Sequence, residues 1–319
     1  MTYILEFEKP LAELEKKLHA LQSKDKKLKP QERAQLAALE AELQQKTEEM
    51  YSHLTSWQCL QVARHRDRPY LRDYIQRICD DFSELHGDRR FGDDRAIQGG
   101  LAVIAGRTVM LIGHQKGRDT KEKVECNFGI AHSEGYRKAL RLMQQAEKFG
   151  IPIVTLVDTS GAAPDLAAEQ RSISQALAEN LYVMAELRVP IIAIVIGEAS
   201  SGGALALAVA DRVLMLEYSI YTVISVEGAS SILWRDTIYA PHAAEAMKIQ
   251  ARDLYQFGLI DELIPEPLGG AHRDHDAAAR ALKAAILKHL DALAPLNIEE
   301  RVQQRYDKFR KIGAFAVAE

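Results

Sequence analysis

Cysteines, aromatic residues and long apolar runs are all scarce in this sequence. The three cysteines among 319 residues, Cys59, Cys79 and Cys126, are too widely spaced for a local metal-binding knuckle. Their odd number also gives no disulfide framework. The N-terminus carries acidic residues and no apolar segment typical of a secretory signal. No uncharged apolar stretch reaches the length that a membrane span needs. These absences predict a cytoplasmic protein with reduced thiols that does not associate with membranes.

The charge balance and the composition exclude further classes of protein. The formal net charge is -4, which argues against nucleic acid as the main partner. Hydrophobic residues make up 47% of the chain and charged residues 27%, as is ordinary for a folded globular protein. A chain of this length can also bury a substantial core. We therefore expect a soluble globular protein.

Two adjacent glycines, Gly202 and Gly203, follow an apolar run and open a helix-forming segment. Residues 189–196 are continuously apolar and rich in β-branched side chains, which predicts a strand buried on both faces. Free backbone N–H groups at the start of the following helix would suit an oxyanion. Vicinal glycines can also serve only a tight turn or close packing. The spacing alone leaves both interpretations open.

The same arrangement occurs a second time upstream. Residues 151–158 form another apolar run, which passes into the small-residue loop 159–165 and then a helical stretch. An apolar hairpin, residues 101–105 and 108–112 with a predicted turn at Gly106-Arg107, precedes both units. Repeated strand–strand–helix units predict an α/β spiral whose loops gather on one side of the sheet.

The two ends of the chain differ from this central part. Leucines recur at helical spacing in the first residues, and the charged stretch from Lys24 to Pro30 predicts the connection of a helical hairpin. This arm could dock a partner chain or pack on its own domain, and the pattern does not separate the two. We predict an N-terminal helical arm at 1–85, a core domain at 86–273 and a C-terminal helical tail at 274–319.

Charged residues follow three of the predicted strands. His114 ends the hairpin, and four cations follow it within eight positions: Lys116, Arg118, Lys121 and Lys123. Such a segment could hold phosphates or a carboxylate, although charge runs often form only a solvated face. Asp158 and Glu198 each follow a buried strand, where they could serve a site or cap the next turn.

Several long motifs of this sequence occur together in one known family. The motifs are residues 113–123, Asn127-Phe128-Gly129, Glu134-Gly135-Tyr136-Arg137-Lys138-Ala139, Ala146-Glu147-Lys148-Phe149, Ser201-Gly202-Gly203-Ala204-Leu205, Ser231-Ile232-Leu233-Trp234 and residues 264–273. In these motifs the chain resembles the carboxyltransferase alpha subunit of bacterial acetyl-CoA carboxylase. The resemblance extends over nearly the whole chain, including Trp57 and the stretch Ala63-Arg64-His65.

This resemblance implies a fold, partners and cofactors. The fold would be a crotonase-like ββα spiral of the α/β class, with an N-terminal helical hairpin and C-terminal helices. The chain would pair with a separate beta subunit in a two-alpha, two-beta assembly. That beta subunit would carry the zinc and most of the acyl-CoA site, so no metal is expected in this chain. Biotin would arrive as carboxybiotin on a biotin carboxyl carrier protein, with biotin carboxylase in the larger complex.

The implied reaction transfers a carboxyl group from carboxybiotin to acetyl-CoA and gives malonyl-CoA. Two sites of negative charge develop, one on biotin and one on the acetyl thioester, and each needs an oxyanion hole. The resemblance assigns the biotin-facing hole to the backbone amides of Gly202 and Gly203. It also implies a biotin-side pocket formed by Asp158, Thr159, Ser160, Gly161, Ala163, Glu198, Ala199, Ser200, Ser201, Ser225, Glu227 and Gly228.

Departures from the family pattern concentrate in these pocket loops. Ser160 and Ala163 stand where the family has proline and tyrosine, and Ala199 and Ser200 stand where it has glycines. Residues 225–231 differ as well. Two interpretations follow. The chain is either an active, specialised copy with altered pocket selectivity, such as tolerance of an inhibitor, or a weakened copy that regulates the beta subunit. A free-standing crotonase-type hydratase or isomerase fits the fold but not the long motifs.

Overall fold

The structure is a computed structural model that describes residues 3–23 and 29–313. The helices are α1 (Lys9–Gln22), α2 (Pro30–Ser52), α3 (Ser56–Ala63), α4 (Leu71–Ile78), α5 (Thr120–Glu125), α6 (Ser133–Lys148), α7 (Leu166–Gln170), α8 (Ile173–Glu186), α9 (Ser201–Leu205), α10 (Val226–Trp234), α11 (Ala240–Met247), α12 (Ala251–Gln256), α13 (His275–Leu293) and α14 (Ile298–Arg310). The strands are β1 (Asp81–Glu84), β2 (Ile97–Ile104), β3 (Arg107–His114), β4 (Ile153–Thr159), β5 (Ile191–Ser200), β6 (Arg212–Leu216), β7 (Ile220–Thr222) and β8 (Glu262–Ile264). Short 3-10 helices include Glu6–Glu8, Asn127–Gly129 and Thr237–Tyr239.

The strands form one mixed sheet in the order β1-β2-β3-β4-β5-β6-β8, and β7 pairs with the end of β5. The β1–β2 and β2–β3 pairs are antiparallel, whereas β3 to β6, β7 and β8 pair in parallel. The predicted β2–β3 hairpin is confirmed, but its turn lies at Ala105-Gly106, one residue earlier than predicted. Both residues have positive φ, 49° and 75°, as a two-residue type I′ turn requires.

The central strands are buried on both faces, as their sequence predicts. In β5, Ile191, Ala193 and Val195 pack into the cluster that includes side chains of α6 and α8. The alternate residues Ile192 and Ile194 pack into the opposite cluster, which includes side chains of α4 and α13. Because successive side chains of a strand point to opposite faces, an uninterrupted apolar run fills both layers. This double cover fixes the carboxyl ends of β4 and β5, where the candidate site lies.

The N-terminal arm packs partly on its own chain. Helices α1 and α2 contact one another, as the predicted hairpin requires, but residues 24–28 of its predicted connection lie outside the described residues. Downstream, Cys59 and Leu60 of α3 share a core cluster with Tyr218 and Ile220. The division of the chain at residues 85 and 273 stays a prediction, and β1, just before the first boundary, pairs with β2. In the described part of the chain, every helix is too short or too polar to cross a membrane.

Candidate functional site

The turn that carries the two glycines begins later than the sequence predicts. Strand β5 continues past residue 196 to Ser200, because Glu198 to Ser200 pair with β7. Ser200 keeps extended backbone angles, φ -135° and ψ 140°, and the left-handed residue of the turn is Ser201, with φ 60°. Ala199 and Ser200 therefore lie in extended strand that tolerates a Cβ. Gly202 and Gly203 follow as the second and third residues of the five-residue helix α9.

The two glycines have different surroundings. A Cβ on Gly203 would lie 2.6 Å from the backbone N of Ala162 and 2.7 Å from the hydroxyl oxygen of Tyr136, so only glycine fits there without movement. Among the described residues, a Cβ on Gly202 would meet only Leu177 Cδ1, at the ordinary contact distance of 3.5 Å. Close packing thus accounts for Gly203 by itself, whereas Gly202 has space beside it.

The loop after β4 packs against this turn and is held by its own hydrogen bonds. The Thr159 hydroxyl donates to the carbonyl of Gly161 at 2.7 Å and accepts from the Gly161 N–H at 3.1 Å. Gly161 has a φ of 147°, which favours glycine. The N–H of Ala163 donates to the Ala131 carbonyl at 2.9 Å, and Ala163 is buried in the core. Ser160 is partly exposed beside them.

Asp158 joins the ends of the two central strands. Its carboxylate accepts a hydrogen bond from the backbone N–H of Glu198 at 2.9 Å and lies 2.5 Å from Lys116 Nζ. Gly197 permits this approach, because a Cβ there would lie 2.5 Å from Asp158 Oδ1. Burial disfavours the charged form of Lys116, but the carboxylates of Asp158 and Glu198 outweigh burial and raise the pKa of Lys116. Asp158 thus connects two strands and does not cap the following turn.

Arg64 connects two further site residues. Its Nε and Nη2 lie 2.9 and 2.7 Å from the two carboxylate oxygens of Glu198. Its Nη1 lies 2.6 Å from Glu227, at the start of α10. Burial opposes the charge of Arg64, but the hydrogen bonds with both glutamates raise its pKa. Ser225 has a local role, because its hydroxyl caps α10 by accepting from the Gly228 N–H at 3.1 Å.

The basic segment after β3 is divided between different roles. Of its four cations, Lys116 pairs with Asp158. Arg118 stacks on Tyr70 at 4.1 Å and pairs with Asp73, so its guanidinium serves the fold. Lys121 is exposed and Lys123 half-buried on α5, where Asp119 caps the helix.

His114 is fully buried behind the site. Its Nδ1 lies 3.4 Å from the backbone N of Asp158, and its Nε2 has no hydrogen-bond partner among the described residues. Burial, followed by the positive charge of Lys116, lowers the pKa of His114 to about 3. The imidazole is therefore neutral at physiological pH and adds no charge to the site.

An apolar cavity of about 520 Å³ opens beside the glycine turn. Ser201, Gly202 and Thr222 contribute polar groups to its lining. The rest of its lining is mainly aliphatic and aromatic, and includes Leu205, Tyr221 and Phe309. A largely apolar cavity with a few polar groups is typical of a small-molecule site.

A cluster of possible metal ligands lies elsewhere. Glu8, His65 and His272 bring one ligand atom each within 4.8 Å of one another. The two imidazole rings are stacked, with centroids 4.0 Å apart and an interplanar angle of 25°, so their in-plane lone pairs do not converge on one ion. Glu8 also accepts hydrogen bonds from Tyr51 at 2.7 Å and Arg273 at 3.0 Å. This geometry favours a structural cluster that attaches the arm.

Comparison with known proteins gives one family. Residues 4–313 match the family model described as acetyl co-enzyme A carboxylase carboxyltransferase-like. The chain belongs to this family. It is similar to proteins named acetyl-coenzyme A carboxylase carboxyl transferase subunit alpha: 54% identical to one from Geobacter metallireducens over 98% of both chains. It is 51% identical to one from Staphylococcus aureus over 98% of this chain and 99% of that one.

Solved structures support the fold described above for this chain. A transcarboxylase 12S structure superposes with a TM-score of 0.58 at 22% identity, over 70% of this chain and 42% of that one. A Pseudomonas malonate decarboxylase heterodimer superposes with a TM-score of 0.58 at 17% identity, over 77% of this chain and 96% of that one. The beta subunit of a Pseudomonas aeruginosa geranyl-CoA carboxylase superposes with a TM-score of 0.56 at 18% identity, over 83% of this chain and 48% of that one. The crotonase-like α/β fold expected from the sequence is confirmed.

Sequence reasoning missed three residues that shape the candidate site of this family member. Arg64 and Tyr136 were noted only as parts of motifs, and Gly197 was not singled out. Nothing in the spacing shows that Arg64 reaches Glu198, that Tyr136 lies beside Gly203 or that Gly197 lies against Asp158, because these contacts join segments far apart in the chain. Arg64 and Glu198, for example, are 134 positions apart. Their membership of long family motifs is the signal that could have suggested them.

Proposed function

We propose that this chain acts as a carboxyltransferase alpha subunit that transfers the carboxyl group of carboxybiotin to acetyl-CoA, together with a beta subunit. The match over residues 4–313, and relatives named alpha subunits over nearly their full length, support this assignment. The structural observation that carries it is the turn at Ser201, which places Gly202 and Gly203 at the start of a helix directly after a fully buried strand.

The glycine turn supplies the chemistry expected of this subunit. Carboxybiotin, when bound, supplies the carboxyl group, and its release leaves negative charge on the ureido oxygen. Backbone N–H groups of Gly202 and Gly203 would hold that oxygen, since such donors stabilise charge that develops in a transition state. The described residues near the turn offer no nucleophile paired with a base, so the chain's own contribution is to bind, orient and stabilise.

The charged residues behind the turn keep it fixed. The Asp158 carboxylate ties the backbone of Glu198 to β4, and Lys116 balances the charge of Asp158. The neutral His114 leaves Lys116 as the cation nearest to this carboxylate. We assign these residues to positioning and electrostatics. We propose that the loop of Thr159, Ser160, Gly161 and Ala163, whose Gly161 lies against Gly203, belongs to the biotin-side pocket.

The apolar cavity beside Gly202 offers a place for the apolar part of biotin. A ureido oxygen at the glycine N–H groups would leave the thioether ring and its aliphatic arm next to Leu205 and Tyr221. Apolar walls with a few polar groups match that amphipathic shape. Ser201, which is exposed and lines the cavity, would contact the ring.

The partners follow from the proposed reaction. The beta subunit would supply the second oxyanion hole, most of the acyl-CoA site and the zinc. The biotin carboxyl carrier protein would deliver carboxybiotin, biotin carboxylase would load it, and the complex would work in the cytoplasm. Lys121 and Lys123 are candidates for phosphate contacts of the CoA substrate. Residues 1–85, 86–273 and 274–319 remain the proposed arm, core and tail.

A genetic test separates an active subunit from a regulatory one. The gene is introduced into bacteria whose ordinary alpha subunit can be depleted, beside an otherwise identical gene carrying Gly203→Val. Growth with the parent gene and not with the variant is expected if the chain transfers carboxyl groups. Failure of the parent, despite co-purification of the chain with the beta subunit, would support the regulatory interpretation. Failure of the parent without co-purification would contradict the pairing.

A further inference from the structure

Arg64 places a residue of the N-terminal arm directly against the candidate site. All three guanidinium nitrogens are used: Nε and Nη2 on the two oxygens of Glu198, and Nη1 and Nη2 on the two oxygens of Glu227, at 2.6 to 3.3 Å. This fork matches two carboxylates at once, which a lysine could not do. The arm, the end of β5 and the start of α10 are thereby joined at one side chain.

The position of Glu198 connects the Arg64 contact to the glycine turn. Its carboxylate is 4% exposed and stands two residues before Ser200, where α9 is about to begin. Its backbone N–H is the donor to Asp158. Three carboxylates, of Asp158, Glu198 and Glu227, surround two cations, Lys116 and Arg64. Without Arg64, the buried carboxylate of Glu198 would lose its ion pair and leave excess negative charge at the end of the strand that precedes the proposed oxyanion donors, where it would oppose the same sign of charge.

We infer that Arg64 is a positioning residue for carboxyl transfer: it fixes the end of β5 through Glu198 and cancels the charge of that carboxylate. The arm is then part of the catalytic structure and not only a docking element. The inference rests on the proposed function for its effect on turnover. Its effect on the geometry of the turn does not depend on that function.

The test compares Arg64→Ala with Arg77→Ala in the complex reconstituted with the beta subunit. Arg77 is a matched control, because it is also an arm arginine paired with a carboxylate, at 2.8 Å from Asp276. We expect Arg64→Ala to lower kcat by between about ten- and a hundredfold, the scale of a small misplacement at a reacting centre. The KM for acetyl-CoA should change little. Arg77→Ala should match the parent.

Two additional variants separate positioning and charge from a general loss of structure. Arg64→Lys keeps the charge and loses the fork, so its kcat should lie between those of the parent and Arg64→Ala. Adding Glu198→Gln to Arg64→Ala removes the unpaired charge and should recover part of kcat, and guanidinium ion in the buffer should do the same for Arg64→Ala alone. A purely structural role predicts neither recovery.

Hydrogen exchange provides a readout that does not require activity. Amides of the peptide spanning residues 197–205 should exchange faster in Arg64→Ala than in the parent or in Arg77→Ala. If the parent makes no malonyl-CoA, the proposed function fails, and the exchange rates still decide the positioning role. Unchanged exchange, or kcat of Arg64→Ala within about twofold of the parent, would overturn the inference. If Arg64→Ala does not assemble, a kcat of Arg64→Lys equal to that of the parent would overturn it as well.

Discussion

The carboxylate of Asp158 accepts a hydrogen bond from the backbone N–H of Glu198, with an oxygen–nitrogen distance of 2.9 Å. This contact crosses the irregular end of the β4–β5 pairing, where the register shifts between Val157 and Thr159. It binds the strand that ends in the glycine turn to the strand that ends in the facing loop. The geometry of the pocket therefore depends on one buried side chain and on the cation that balances it, Lys116.

Substitution of Gly203 is expected to affect catalysis more strongly than the same substitution at Gly202. Gly203→Ala would bring its Cβ to 2.6 Å from two backbone atoms of the facing loop, Gly161 C and Ala162 N, so the turn must shift. Loss of one oxyanion donor typically costs about a hundredfold or more in kcat. Gly202→Ala meets no such obstacle. The measurement is kcat of both variants in the complex, after assembly is confirmed by gel filtration; equal turnover of the two would contradict this assignment.

Gly197→Ala should disturb Asp158 and reduce both stability and turnover. The new Cβ would lie 2.5 Å from Asp158 Oδ1, where the carboxylate now accepts the Glu198 N–H. Displacing it leaves Lys116 without its partner in a buried environment, which is costly. Gly92→Ala is the control, because no atom of the residues that the structure describes lies within 4 Å of its added Cβ. Thermal unfolding and kcat are compared; a parent-like Gly197→Ala would show that this approach is not needed.

Two cations of the basic segment should respond differently to removal. Arg118→Ala loses the pairing with Asp73 and the stacking on Tyr70, so a lower unfolding temperature is expected. Lys121→Ala removes an exposed charge on α5 and should leave stability unchanged. If Lys121 contacts substrate phosphates, its loss should raise the KM for acetyl-CoA and weaken the salt dependence of that KM. An unchanged KM would remove Lys121 from the candidate site.

Lowering the pH should begin to destabilise the protein at pH values above the usual pKa of carboxylates. Burial, followed by the neighbouring imidazole of His272, lowers the pKa of His65 from 6.5 to about 4. Burial, followed by the charge of Lys116, lowers the pKa of His114 from 6.5 to about 3. Between about pH 6.5 and 4 the unfolded chain binds protons that the folded chain does not. The free energy of unfolding therefore decreases as the pH is lowered through this range. Urea unfolding at about pH 7 and pH 5 should show this fall, and His114→Asn should reduce it. Equal stabilities at both pH values would contradict the burial of neutral imidazoles.

The sheet and its double cover could be predicted from sequence because they depend on local pattern. Uninterrupted apolar runs such as residues 189–196 specify strands buried on both faces, and the glycines at 202 and 203 mark the following turn. The end of β5 could not be predicted in the same way. Residues 197–200 do not continue the apolar run, and residues 198–200 remain extended because β7 pairs with them from 22 positions downstream.

The candidate site could be predicted in part, because two of its residues follow recognisable strands. Asp158 and Glu198 could be proposed because functional side chains gather at the carboxyl ends of parallel strands. Which side chains balance their charges depends on tertiary contacts, and no rule of spacing connects Arg64 to Glu198 or Lys116 to Asp158. The capping role of Ser225 was not predicted either, because the resemblance assigned this residue to the biotin-side pocket.

Malonyl-CoA formation by the purified chain, with and without a beta subunit, decides whether the chain is an active alpha subunit. Carboxybiotin on its carrier protein and acetyl-CoA are supplied in both arms, and the beta subunit is first shown to be active with an ordinary alpha subunit. We expect malonyl-CoA in the presence of the beta subunit and none with the chain alone. Product from the chain alone, or no product from an assembled complex with that active beta subunit, would contradict this expectation.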